Sequence, residues 1–168
     1  MTKSLIRSGN RRGTKSDKRP RTARRAARLH EPAACDRCGA TFVRQTWRNR
    51  RSVPASLLQE ATWTICPACK QTEAGEYFGR VLIGGAFAAA NMPEIRRRIG
   101  NVDARARFTQ PERRVIAAAA DGNLLEVLTT SQKLAHRIVH ELKKTFRGRA
   151  AYRWSDADGS LLATWQRD

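Results

Sequence analysis

The chain has 168 residues, which is enough for one domain of ordinary size or for two small ones. Its formal net charge of +18 and its pI near 11.3 indicate a polyanionic partner, because a basic protein binds phosphate polymers by releasing their counterions. The sequence has no apolar run of about 18 residues and no lipidation motif, which argues against a membrane protein. Nucleic acid is therefore the expected partner, although charge that only maintains solubility is an alternative.

Residues 1–33 are predicted to form a disordered basic arm. Residues 1–30 contain eleven Lys and Arg against one acid, and they have almost nothing apolar to bury. Such a segment cannot offset the entropy cost of ordering its backbone. Its role is either to contact nucleic acid or to remain a solvated tail. The candidate contacts are Arg11, Arg12, Arg21, Arg24 and Arg25.

Residues 34–72 contain every cysteine of the chain, in two C-x-x-C pairs: Cys35 with Cys38, and Cys66 with Cys69. Two tight turns that each present two thiolates are typical of a zinc ribbon, and four thiolates close a tetrahedral structural site. We therefore expect zinc as the cofactor. A disulfide pair is one alternative, and a rubredoxin-like iron centre is another. No secretory signal precedes the cysteines, so we expect a reducing, cytoplasmic location.

A basic insertion separates the two cysteine pairs. Residues 40–43 and 61–65 are predicted strands, and residues 53–60 a helical turn. Between the strands, four arginines surround an indole, a combination that can pair with phosphates and stack on an unpaired base. The alternative is that the indole covers the small core while the arginines face water. These candidates are Arg44, Trp47, Arg48, Arg50 and Arg51.

Residues 73–168 are predicted to form a small α/β domain. A strand at residues 77–83 is followed by a helix that begins at Asn91 and runs towards Phe108, with Gly100-Asn101 as a candidate break. Asp121-Gly122 between two apolar runs indicates a hairpin over residues 114–129. A helix at residues 131–146 and a second hairpin at residues 149–167 complete an α+β fold, with an antiparallel or mixed sheet and helices on one face.

The helix at residues 131–146 has one apolar face and one basic face. Its basic stripe provides four more candidate contacts, Lys133, Arg137, Lys144 and Arg147, although a solvated charged face is the alternative. In the hairpin that follows, Tyr152 and Trp154 share one face of a strand, and we expect them to pack beneath a helix rather than to stack on bases.

The order of these motifs resembles the Nmd proteins, the adaptors that export the large ribosomal subunit in eukaryotes and that have archaeal counterparts. It resembles a set of short bacterial relatives still more. The resemblance is carried by C-x-x-C-G from Cys35, C-P-x-C from Cys66, Glu-Tyr-Phe at residues 76–78 and the run DGNLLEVLTTSQKLAHRI at residues 121–138. The family typically has several C-x-x-C pairs and extended transport-signal tails, whereas this chain has four cysteines in all. The resemblance therefore implies zinc and association with ribosomal RNA or the large subunit, and it does not imply nuclear export.

Together these features predict a non-catalytic zinc protein that binds structured RNA, with a role in ribosome assembly, storage or stress and with no small-molecule substrate. A DNA-binding zinc-ribbon regulator is the alternative, although the sequence shows no helix-turn-helix. An enzyme is not expected, because no nucleophile is paired with a base and a four-thiolate site leaves no position for substrate.

Overall fold

The computed structural model describes residues 29–168. Most of the predicted arm lies outside this range, together with Arg11, Arg12, Arg21, Arg24 and Arg25. The described residues form nine strands: β1 (Ala33–Cys35), β2 (Thr41–Val43), β3 (Thr46–Arg48), β4 (Thr62–Thr64), β5 (Gly79–Gly84), β6 (Val115–Asp121), β7 (Leu124–Thr129), β8 (Arg149–Trp154) and β9 (Leu161–Gln166). They also form five α-helices: α1 (Ala55–Gln59), α2 (Pro67–Glu73), α3 (Ala86–Ala90), α4 (Met92–Thr109) and α5 (Gln132–Phe146). None of these helices is long and apolar enough to cross a bilayer.

The first sheet belongs to a metal module, which we define as residues 33–73. Its strand order is β3-β2-β1-β4, with β1 antiparallel to β2 and parallel to β4. The predicted strands around Phe42 and Trp63 are confirmed. The predicted boundary of the arm is wrong by a few residues, because Ala33 is fully buried in β1 and the Glu31 carboxylate already makes ordered contacts.

The second sheet is mixed, with the order β6-β7-β5-β9-β8. Strand β5 is antiparallel to β7 and parallel to β9, while β6 with β7 and β8 with β9 form the two predicted hairpins. The α+β class and the mixed sheet are therefore confirmed.

The helices cover one face of this second sheet. Along β5, Val81 and Ile83 are fully buried, whereas the alternating Arg80 and Leu82 are partly exposed. The buried side of the sheet shares one core with the apolar residues of α4 and α5. Ser131 caps α5 as predicted, since its hydroxyl accepts a hydrogen bond from the Leu134 amide at 3.3 Å.

Two local expectations for this domain are wrong. Helix α4 does not break at Gly100, because Ile95, Ile99 and Val102 anchor it to the core on both sides of that exposed residue. Tyr152 and Trp154 do share the helix-covered side of the sheet, but β8 is an edge strand. Tyr152 packs on His136 of α5, but 37% of Tyr152 and 53% of Trp154 remain exposed.

Candidate metal centre

The first cysteine pair lies on the turn between β1 and β2. The Cys35 amide donates to the Ala40 carbonyl at 2.7 Å, and the Gly39 amide donates to the Cys35 carbonyl at 2.8 Å. Gly39 has a φ of 71°, a conformation that a glycine adopts without steric cost. This tight turn places Cys35 in the interior and leaves Cys38 exposed.

The second pair starts a helix, which differs from the predicted second turn. Cys66 is the residue before α2, Pro67 is its first residue, and Cys69 follows within the first helical turn. Proline favours the first position of a helix, because its fixed φ suits the helix and its missing N–H has no partner there anyway. The buried Cys66 thiol and the half-buried Cys69 thiol then face the first pair.

The four sulfurs lie close enough together to hold one metal ion. The Sγ atoms of Cys35 and Cys69 are 3.8 Å apart, those of Cys38 and Cys66 are 3.7 Å apart, and all four lie within 4.8 Å of one another. A tetrahedral ion with metal–sulfur bonds of about 2.3 Å needs sulfur–sulfur separations of about 3.8 Å. In residues 29–168, these four cysteines are also the one group of His, Cys, Asp and Glu side chains placed to hold a metal. The fit is compatible with zinc.

The thiols differ in how readily they ionise. Burial alone would raise the pKa of Cys35, but hydrogen bonds from the backbone of Cys66, Cys38 and Arg37 outweigh it and lower the pKa to about 7. Burial raises the pKa of Cys66 and of Cys69. Cys66 and Cys69 therefore hold their protons more tightly than Cys35 does, until a metal cation displaces them.

Arg114 is the charged residue that contacts this cluster, and it comes from the α/β domain. Its Nη2 donates to Cys38 Sγ at 3.3 Å, and its Nη1 donates to Cys69 Sγ at 3.4 Å. The side chain is only 7% exposed. Burial by itself would lower the pKa of Arg114, but the hydrogen bond to Cys38 and the neighbouring thiolates raise it, so the guanidinium stays charged. A divalent ion with four thiolates carries a net charge of about −2, which this guanidinium partly balances.

The rest of Arg114 is fixed by its own domain. Both Nε and Nη2 donate to the Pro111 carbonyl, at 3.0 and 2.7 Å, and the Arg114 amide donates to Thr130 Oγ1 at 3.0 Å. A residue of the metal module also donates a hydrogen bond to the α/β domain, from Gln71 Nε2 to the Thr130 carbonyl at 2.9 Å. Sequence reasoning missed this role of Arg114, because 45 residues separate it from Cys69 and no local motif marks it.

The arginines of the basic insertion are placed differently from the indole among them. Arg44, Arg48, Arg50 and Arg51 are exposed as expected. Trp47 is only 5% exposed and pairs across the strands with Phe42, their ring centroids 5.4 Å apart. The prediction that Trp47 stacks on a base is therefore wrong. In this small module its indole is needed to cover the cysteine core, with which it packs.

The exposed indole of the metal module is Trp63, which sequence reasoning did not single out. Its side chain is 66% exposed on β4, and it lines a small surface cavity together with Arg50 and Leu58. Residues 61–65 carry no signal that separates this tryptophan from Trp47, because the strand pairing decides which of them faces the core.

The basic stripe of α5 is exposed along its whole length, including Lys133, Arg137, Lys144 and Arg147. The one acid of this helix, Glu141, lies on the flank towards α4 and forms an ion pair with Arg98 at 3.6 Å. Neither a protein-family model, nor a curated protein, nor a solved structure matches this chain. The resemblance to the Nmd proteins stays a prediction.

Proposed function

We propose that this protein is a non-catalytic, zinc-stabilised RNA-binding protein that associates with ribosomal RNA in the cytoplasm. The large ribosomal subunit is its favoured partner. The proposal combines the charge of the chain, the four-thiolate site and the resemblance to the Nmd proteins. The large subunit and the cytoplasm follow from that resemblance and from the four free thiols, which suit a reducing compartment.

The observation that carries the RNA-binding proposal is a set of side-chain cations that form no ion pair within residues 29–168. None of the ion pairs formed within residues 29–168 includes the predicted contacts in that range. Those residues are Arg44, Arg48, Arg50, Arg51, Lys133, Arg137, Lys144 and Arg147, and all eight are exposed. By contrast, Arg37, Arg80 and Arg97 each pair with a carboxylate. Cations that stay unpaired are available to replace counterions on a phosphate backbone.

Trp63 supplies the aromatic contact that Trp47 cannot. An exposed indole beside Arg50 offers a base-stacking surface next to a phosphate-binding charge, a combination that suits folded RNA with unpaired bases. Duplex DNA presents few unstacked bases, so this pairing favours RNA over a DNA regulator.

Zinc is the proposed ion because a closed site of four thiolates, three of them buried or half-buried, is typical of a structural metal. Iron with the same ligands would serve electron transfer, and the basic surroundings fit a polyanion better than the docking surface of an electron carrier. Bound iron would be seen as visible absorbance of the purified protein.

The test is sedimentation of the tagged full-length protein from lysate through a gradient at low and at high salt, with metal analysis of the same sample. We expect zinc at one ion per chain, and cosedimentation with the large subunit that is lost at high salt. Protein that stays at the top of the low-salt gradient would contradict the proposal, and preferential competition by duplex DNA would favour the DNA regulator.

Variants locate the contact surface. The double variant with Arg50→Gln and Arg51→Gln should bind RNA more weakly, and its binding should release about two fewer counterions, which lowers the slope of affinity against salt. The matched control is Arg97→Gln, which removes an exposed arginine that already pairs with Glu94. If the loss per arginine in the double variant equals the loss in Arg97→Gln, only total charge matters.

A further inference from the structure

We propose that the edge formed by β8 and α5 binds unpaired nucleotides, with Trp154 and Tyr152 as base-stacking residues. This inference rests on the proposed RNA-binding function and adds to it the kind of RNA segment recognised and its place on the α/β domain. We name this edge the aromatic edge and define it by Tyr152, Trp154 and His136.

Two aromatic side chains project from the same side of an outer strand. Tyr152 and Trp154 alternate with Arg153 along β8, whose partners in the sheet lie on the β9 side only. Residues two apart in a strand are separated by about 6.6–6.8 Å. Trp154 is 53% exposed, and Tyr152 is 37% exposed. Because the two rings are neighbours on one face, they form a contiguous apolar patch, and such patches mark interaction sites more often than single exposed residues do.

A helix residue orients one of these rings. His136 of α5 stacks on Tyr152 with ring centroids 4.7 Å apart and an interplanar angle of 30°. The imidazole covers part of the tyrosine ring, and this limits the rotation of the side chain. A ring held in this way loses little conformational entropy when a base stacks on it.

The flank of α5 that carries His136 also carries cations. Helical spacing of three and four residues places Lys133 and Lys143 on this flank, and Arg147 follows at the end of the helix. All three are exposed, and none of them joins an ion pair within residues 29–168. The acid of this helix, Glu141, is turned towards α4.

Three acids lie at the two ends of β8. Asp156 and Asp158 are in the loop after Trp154, and Asp168 pairs with Arg149 at the opposite end of β8. A line of cations beside stacked aromatic rings matches a single strand, whose backbone binds the charges while its bases stack on the rings.

The experiment measures binding of the full-length protein to a short unstructured RNA and to the same sequence in a duplex, by fluorescence anisotropy. Trp154→Ala should weaken binding to the single strand about tenfold, with less than a twofold change for the duplex. The salt dependence of single-strand binding should stay unchanged, because no phosphate contact is removed. Trp154→Phe should restore most of the affinity.

The matched control is Phe108→Ala, which removes a 54% exposed aromatic side chain from α4, away from the aromatic edge. It should leave both affinities unchanged, and thermal unfolding should confirm that every variant is folded. If Trp154→Ala binds the single strand as tightly as the wild type, the aromatic edge does not stack on bases and the inference is overturned. If the wild type binds none of these RNAs nor ribosomal RNA, the proposed function fails first.

Discussion

Replacement of Arg114 by methionine tests whether the guanidinium stabilises the metal centre. The variant keeps most of the length of the side chain and removes the donors to Cys38 and Cys69, which lie at 3.3 and 3.4 Å. It also leaves the buried carbonyl of Pro111 without the two donors that reach it at 3.0 and 2.7 Å.

The expected loss of zinc affinity follows from the hydrogen bonds that the substitution removes. Loss of a group that hydrogen-bonds to metal ligands typically lowers metal affinity about 10- to 100-fold, which corresponds to about 1.4–2.7 kcal/mol. A hydrogen bond to a charged group contributes about 1.5–3 kcal/mol, and the two bonds to sulfur share one side chain and are not additive. We therefore expect the loss of zinc affinity to lie in the upper half of the range of about 1.4–2.7 kcal/mol. Arg114→Lys keeps the charge but loses the forked geometry, so we expect a smaller loss.

The assay is competition for zinc between the full-length protein and a chromophoric chelator. Arg113→Met is the matched control, because Arg113 is the preceding residue and the hydrogen bonds to the cysteine sulfurs come from Arg114. We expect Arg113→Met to keep the wild-type zinc affinity. An Arg114→Met protein that holds zinc as tightly as the Arg113→Met protein would refute the role assigned to this guanidinium.

Three further outcomes follow from the packing. Gly100→Ala should raise the free energy of unfolding by about 0.5–1 kcal/mol, because Gly100 lies inside α4 with nothing within 4 Å of an added Cβ. Gly79→Ala should lower it by about 1–3 kcal/mol or more, since the new Cβ would lie 2.3 Å from Thr129 Oγ1 and 2.5 Å from Ala135 Cβ. Chemical denaturation measures both, and equal effects would contradict the packing described. Chelation of the metal should abolish hydrogen-exchange protection in β1 and β2 while β5, β7 and β9 keep theirs, and uniform loss would show that the α/β domain also depends on the metal.

The elements that were predicted correctly are those whose signal lies in neighbouring residues of the sequence. Helix α5 could be located because its apolar residues repeat every three or four positions after a serine cap, and the β6–β7 hairpin because Asp121-Gly122 separates two apolar runs. The cysteine spacing likewise predicted the composition of the metal centre. It did not distinguish a turn from the start of a helix at Cys66.

The features that were missed depend on contacts between distant residues. Strand β3 follows a turn in which Arg44 and Gln45 have positive φ angles, a conformation that no glycine or asparagine announces. The Glu31 carboxylate stabilises this turn by accepting hydrogen bonds from both amides at 2.9 Å. In the same way, the strand register places Trp47 with Phe42 on the face of the sheet that carries Cys35, and it places Trp63 with Ala34 on the opposite face.

Arg114 joins the α/β domain to the metal module, and each of these two parts carries one cationic surface. Loss of the metal should therefore affect RNA binding that uses both surfaces. The α/β domain has a core of its own that contains no cysteine, so the stripe on α5 should survive loss of the metal. The arginines of the basic insertion depend on the metal module, whose core includes Cys35 and Cys66. Two linked sites bind a long RNA far more tightly than either does alone, because the second contact forms at high effective concentration. Metal removal should therefore weaken binding to a long folded RNA strongly, and binding of a short single strand to the α/β domain only slightly. A similar loss for both RNAs would show that one surface carries all of the affinity.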